Sequence, residues 1–243
     1  MQKTVLLISF TVACICCNAQ FNDSVHRQVK FASTGILNKT NAVSSYVVNN
    51  IAAYNVNKKN ITFNSSANWV YGQQNGNLTN NDFLATANMD LNKQLKKLYY
   101  WALLTYQTSL SLNIDYRFQG GAGIGYNLMN TPTANIVVSD GILFEKGNLA
   151  DPNIGKDVYQ TIRNSLRIKY RFIIKDKLVF EGMHFYQPSF SELQDYNISS
   201  INNLSVKLKQ WLSLTAATTY NRIQRTNRQN LLVTFGFVIE KYF

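Results

Sequence analysis

Arg163, Arg167, Lys169 and Arg171 all fall on odd positions within nine residues. In an extended chain alternate side chains share a face, so these four cations form one row. A row of guanidinium and ammonium groups does electrostatic chemistry: it attracts, orients or pairs with anions. Arg117 sits on a comparable face of an earlier segment, and Glu181 faces the row from the next one. Two arrangements follow. If water fills the space around the row, the positive field favours anions, as rings of Arg and Lys do in anion pores. If Asp82, Asp90, Asp115, Glu181 and Glu240 pair with the cations, the space is plugged. The carboxylates are numerous enough that the plugged arrangement is the expectation, with Arg117, Arg163, Arg167, Lys169, Arg171 and Glu181 lining it.

Other candidate chemistry is thinner. The chain has two histidines, His26 and His184. His184 has Ser189 and Ser191 nearby and Glu181 three residues before it, the residue types of a lipid acyl hydrolase. On a strand, however, His184 and Glu181 point to opposite faces, so an interfacial histidine beside Tyr186 is expected. Acyl hydrolysis would need His184 beside a serine at the membrane boundary. Gly120, Gly121, Gly123 and Gly125 do not have dinucleotide-loop spacing and precede no helical pattern. Inward glycines in a strand relieve crowding or let a sheet bend. No His, Asp or Glu cluster has metal-ligand spacing. The three cysteines, Cys14, Cys16 and Cys17, all lie before Gln20, so a chain starting there has no disulfide or thiolate chemistry. No cofactor, no metal and no catalytic residue are expected.

The elements that must position these residues are strands. Period-two alternation is clean in four segments. Lys59 to Tyr71 opposes Ile61, Phe63, Trp69 and Tyr71 to Asn60, Thr62, Asn64 and Asn68. Asp82 to Asn92 and Ile114 to Asn127 do the same, the latter with Asp115, Arg117, Gln119 and three glycines on one face. Arg163 to Phe172 sets Leu166, Ile168, Tyr170 and Phe172 against the basic row. Eight further segments bring the count to twelve: Gln28 to Ile36, Ser44 to Val56, Leu98 to Thr108, Ala134 to Lys146, Lys177 to Gln187, Ile198 to Leu208, Trp211 to Arg222 and Gln229 to Phe243. Gly147 to Asp157 and Ser189 to Asn197 read as longer loops. Asp140 shares a phase with Ile136, Val138 and Ile142. That exposure predicts a bulge or an interfacial position, because a lipid-facing carboxylate is costly.

The chain's two ends specify where such strands would reside. Lys3 precedes an apolar run from Val5 to Ile15, then small residues up to Ala19. This is the pattern of a secretory signal peptide cut before Gln20, and it is shorter than the about twenty apolar residues that span a bilayer. Residues 20–243, 224 in all, then form one domain. At the other end, LLVTFGFVIEKYF alternates, with Lys241 out of place, and stops on Phe243. This resembles the signal by which the barrel-assembly machinery inserts bacterial outer-membrane β-barrels, and that machinery is an expected partner. Hydrophobic content of 46% and a mean hydropathy of −0.16 suit a barrel, in which lipid-facing and lumen-facing residues average out. The net charge of +11 suits lumen cations and contacts with anionic lipopolysaccharide. An exported chain has no ordinary encounter with nucleic acid.

Trp69 to Asn92 (WVYGQQNGNLTNNDFLATANMDLN), DYRFQGGAGIGYNLMNT from Asp115 to Thr131 and SLRIKYRF from Ser165 to Phe172 together resemble the domain-of-unknown-function 481 family. Its members are exported and often described as salt-stress-induced outer-membrane proteins of Bacteroidetes-like sequence. The resemblance implies an outer-membrane barrel and brings no reaction or catalytic residue. The expectation is therefore a monomeric, all-β transmembrane barrel of about twelve strands in the bacterial outer membrane. It has a structural or stress-related role, a plugged or narrow cationic lumen and no enzymatic activity. A small anion-favouring channel is the main alternative, and a soluble β-sandwich or lipocalin-like barrel with its apolar faces inward is the structural rival.

Overall fold

The computed structural model describes residues 26–243 apart from 41, 59, 92–96 and 152–154. The signal peptide read over residues 1–19, with its three cysteines, lies outside the described residues. Thirteen strands follow in chain order: β1 (Arg27–Lys39), β2 (Ser44–Asn57), β3 (Ile61–Gln74), β4 (Asn77–Leu91), β5 (Leu98–Ser109), β6 (Ile114–Asn130), β7 (Ala134–Asp151), β8 (Gly155–Asn164), β9 (Leu166–Ile174), β10 (Leu178–Pro188), β11 (Tyr196–Lys207), β12 (Leu212–Ile223) and β13 (Arg228–Tyr242). Each pairs antiparallel with its sequence neighbour, except that β8 and β9 both pair with β7, and β1 pairs with β13 from Gln28↔Tyr242 to Gly35↔Phe235. This closes the sheet and brings Arg27 and Phe243 together at one end, where each backbone N–H meets the other's carbonyl at 2.9 and 3.0 Å. Closure leaves the twelve barrel strands no open edge; β8 alone is laddered on one side, to β7, with a single bridge from Arg163 to Ser189 on the other.

Twelve of the strands form the barrel, and β8 is an extension of it. β9 pairs with the first part of β7 (Ala134↔Phe172) and β8 with the second (Ile142↔Asn164). Eight residues forward in β7 match eight back in its partner, so β8 and β9 are one arm with a single register, interrupted at Ser165. The segment 147–157, expected as a loop, is thus mostly the tip of a long hairpin. Asp151-Pro152-Asn153 carries turn residues, and these mask strands that continue on both sides. Type I′ geometry appears at Asn75-Gly76 (φ 51° and 81°) and Lys175-Asp176 (φ 50° and 55°), where its twist matches that of the flanking strands.

The apolar phase faces out. Phe235, Phe237 and Ile239 are 48–59% exposed, and Phe31, Trp69, Ile124, Ile142 and Ile168 are exposed on other strands. The partner phase, Arg167, Gln119, Asn127, Ser139 and Thr234, is buried inside. A soluble sandwich or lipocalin-like barrel would have the reverse arrangement. Among the described residues no helix is long and apolar enough to cross a membrane. Two details differ from expectation. The register shifts between Ile114 and Tyr116, turning Ile114 inward, where it is buried. Asp140 faces out as read, but no bulge or register shift relieves it. Instead the ladder breaks beside it at Ser165, and it accepts hydrogen bonds from Asn164 Nδ2 (2.8 Å) and the Gly141 amide (2.9 Å).

Candidate functional site: the lumen

Three structures occupy the interior along its axis. At the end away from the termini, the β5–β6 turn folds across the mouth to the β12–β13 turn on the opposite wall. Thr226 Oγ1 donates to the Leu112 carbonyl (3.3 Å) and Asn230 Nδ2 to Ser111 Oγ (2.9 Å). Leu112, Ile114, Leu149, Tyr159 and Ile223 form a buried apolar cluster beneath. The cover is locked by ions. Arg163, fully buried, reaches Glu145 Oε1 at 2.9 Å and both oxygens of Asp195 at 3.0 and 3.1 Å. Glu145 also accepts from Gln119 (2.6 Å), Tyr159 (2.7 Å) and Asn197 (3.1 Å). Arg225 joins Asp195 to Asp157 and stacks 4.5 Å over Tyr159. Its hydrogen bond to the Asp157 carboxylate holds the Arg225 pKa above its ordinary value.

Below the cover, a cavity of about 170 Å³ meets one of about 410 Å³. Thr86, Leu103, Met183 and Phe185 line both, so they form a waist. Arg167 is fastened beside it, donating to Ser139 Oγ (2.8 Å) and Asn88 Oδ1 (3.3 Å), its guanidinium 5.3 Å from the Trp101 ring and 6.0 Å from Phe185. The inward glycine face, read as relieving crowding, is filled by aromatic rings. A Cβ on Gly123 or Gly141 would lie 2.7 or 2.5 Å from Trp101, and one on Gly125 would strike Tyr99. Nothing in the alternation of β6 showed this, because the rings come from β5.

The larger cavity continues to the terminal mouth through Asn57, Thr62, Asn64, Lys169 and Arg171. Among the described residues five cations (Arg27, Lys30, Arg167, Lys169 and Arg171) line it against two carboxylates, Glu181 and Glu240. Glu181 lies between Lys30 (3.8 Å) and Arg171 (3.9 Å). The basic row is therefore split: Arg163 belongs to the cover, Arg167 to the waist and the other two to this vestibule. Arg117 lines the upper cavity and hydrogen-bonds Gln107. Of the expected carboxylate partners, Asp82 instead accepts from Ser109 and Ser111 (both 2.7 Å). Asp90 accepts from Asn88 (3.0 Å) and Asp115 from Asn148 (3.0 Å). Sequence reasoning missed Glu145 and Asp195, whose separation from Arg163 along the chain hides them until the long hairpin and the 189–195 loop are placed.

His184 faces out and does not meet Ser189 or Ser191, which bond each other (2.8 Å) and Thr161 at the covered end. His26 lies at the rim of the terminal vestibule. Among the described residues no group of three or more His, Cys, Asp or Glu is placed to hold a metal.

Over residues 34–239 the chain matches the family model described as "Protein of unknown function, DUF481". It belongs to that family. Structural likeness to this DUF481 barrel extends to outer-membrane proteins of other families, at identities so low that fold alone is shared. The NanC porin is 8% identical with a TM-score of 0.54, over 88% of this chain and 99% of that one. The COG4313 outer membrane channel from Pseudomonas putida F1 is 10% identical at 0.51, over 90% and 96%. The translocator domain of the autotransporter NalP from Neisseria meningitidis is 12% identical at 0.51, over 88% of each. No curated protein sequence matches the chain.

Proposed function

We propose that this DUF481 barrel resides in the bacterial outer membrane as a structural or stress-related component whose lumen does not conduct. The observation that carries the proposal is the ion-locked cover at one end, above a waist of Thr86, Leu103, Met183 and Phe185 with Arg167 beside it. An apolar constriction of this kind stops ions by excluding water. Export through a signal peptide, insertion by the barrel-assembly machinery through the strand ending in Phe243, contact with lipopolysaccharide and a monomeric state complete the reading. The excess of cations in the terminal vestibule favours one alternative, a narrow anion-favouring channel opened by movement of the cover. Planar-bilayer recording of the purified protein tests both, with silence or rare brief openings expected. Steady anion-selective channels abolished by Arg167→Gln with Arg171→Gln would replace this proposal with the channel.

A further inference from the structure

Four polar side chains on the outer wall form a closed ring of hydrogen bonds. Tyr170 on β9, His184 on β10 and Ser200 and Asn202 on β11 share the phase of the exposed apolar residues Ile168, Phe180 and Leu204. His184 and Ser200 stand directly opposite each other in the β10–β11 register. Ser200 Oγ lies 2.8 Å from His184 Nδ1, His184 Nε2 3.3 Å from Tyr170 Oη, Tyr170 Oη 2.5 Å from Asn202 Oδ1, and Asn202 Nδ2 3.5 Å from Ser200 Oγ. One proton assignment satisfies every link, with each group donating to the next in that order. A lipid-facing wall is a costly place for polar groups, and the surrounding strands fill it with apolar ones. The seat is also shaped: Gly182 lies under the Tyr170 ring, where a Cβ would strike the ring and come 2.8 Å from Asn202 Oδ1.

The position along the wall is specific. Tyr186 and Tyr196, their rings 6.0 Å apart, stand on the covered-end side, and Tyr220 pairs with Ser200 in register. Phe172, Phe180 and Leu204 lie on the other side. His184 is two residues from Tyr186, roughly 7 Å along the strand. Interfacial tyrosines sit at the headgroup level of a membrane, and a polar ring one step inside such a pair is where a barrel wall meets the acyl esters of the surrounding lipid.

We infer that Ser200 and His184 form a serine acyl-hydrolase site whose substrate is an ester-linked acyl chain of a membrane lipid. Ser200 Oγ attacks the ester carbonyl carbon as its proton passes to His184 Nδ1. The tetrahedral adduct breaks its bond to the lipid oxygen, which leaves with that proton. Water then attacks the acyl-serine, giving one proton to His184, and the proton returns to Ser200 as the fatty acid departs. Tyr170 is a positioning residue that holds the imidazole, in the way a third group orients the base in other nucleophile–base pairs. Asn202 Nδ2 is a donor beside the developing oxyanion. This goes beyond the proposal for the lumen, replaces the expectation that the chain performs no reaction, and does not depend on whether the lumen conducts.

The test uses the full chain in two settings, phosphatidylethanolamine micelles and micelles containing lipopolysaccharide, so that glycerophospholipid and lipid A esters are told apart. Fatty-acid release is measured by mass spectrometry, and Ser200 is probed with a fluorophosphonate. Release in at least one setting and a phosphonyl adduct on Ser200 are expected. Ser200→Ala and His184→Ala lower release at least about 100-fold while retaining the heat-dependent gel shift of a folded barrel. Tyr170→Phe keeps the ring but lowers release about tenfold and alters the pH profile of labelling, which a purely structural role would leave in place. Wild-type release no higher than that of Ser200→Ala in both settings, with no adduct, overturns the inference.

Discussion

At the scale of single residues, Arg163 and Gly125 show how differently one strand face can be used. Arg163 bridges two carboxylates inside the cover, so Arg163→Ala leaves Glu145 and Asp195 buried without their shared cation. Breaking a buried ion pair from one side costs about 3–5 kcal/mol. The unfolding midpoint of the variant in urea should fall accordingly, and replacing Glu145 and Asp195 by leucine in the same chain should recover most of the loss. Gly125→Ala acts by volume, since its new methyl meets the Tyr99 ring. Overpacking of this kind costs about 1–3 kcal/mol, and Tyr99→Leu beside it should return part of the stability. The period of two was enough to place Arg163, Arg167 and Gly125 on the inward face. It could not reveal their partners, because those come from other strands at distances along the chain that only the register defines. The same holds for Ser200, sixteen residues from His184 and visible as its neighbour only once the hairpin around 189–195 is aligned.

Elements show where alternation fails as a guide. All twelve segments read from period two match barrel strands to within about five residues, Arg163 to Phe172 matching β9, and the miss is β8, most of which was not read as a strand. The tip of the β7–β8 hairpin was missed because Gly147, Asp151 and Pro152 are turn-forming residues. Here Gly147 instead makes room for the Tyr159 ring, 2.8 Å from where its Cβ would stand. This hairpin supplies Leu149 and Tyr159 beneath the cover, and the β5–β6 turn spans the mouth above them. Deleting Ser111 and Leu112, which bond to the β12–β13 turn, should therefore remove the cover yet leave the gel shift of a closed barrel. Conductance should stay near zero in that deletion, since the waist remains. It should also stay low in Phe185→Ala alone and appear when the two changes are combined. Two barriers in series predict this non-additive result, and single-channel recording checks it. Channels in either single variant would mean that the other closure is not a barrier.

Across the whole molecule, the legible features were the class, the strand count and the outward apolar phase, because each is repeated in every strand and survives local irregularity. Cell fractionation with unboiled gels should find the protein in the outer membrane, running faster before heating than after it. A soluble periplasmic protein without a shift would refute that location. The unequal ends of the lumen have a further consequence. With one mouth covered and the other continuous with five cations facing two carboxylates, the barrel is electrically a cup. Its field reaches solution on one side only and decays over about 8 Å at physiological ionic strength. On the proposed closed-lumen reading, anions drawn to that mouth should follow the salt concentration of the single compartment it opens to.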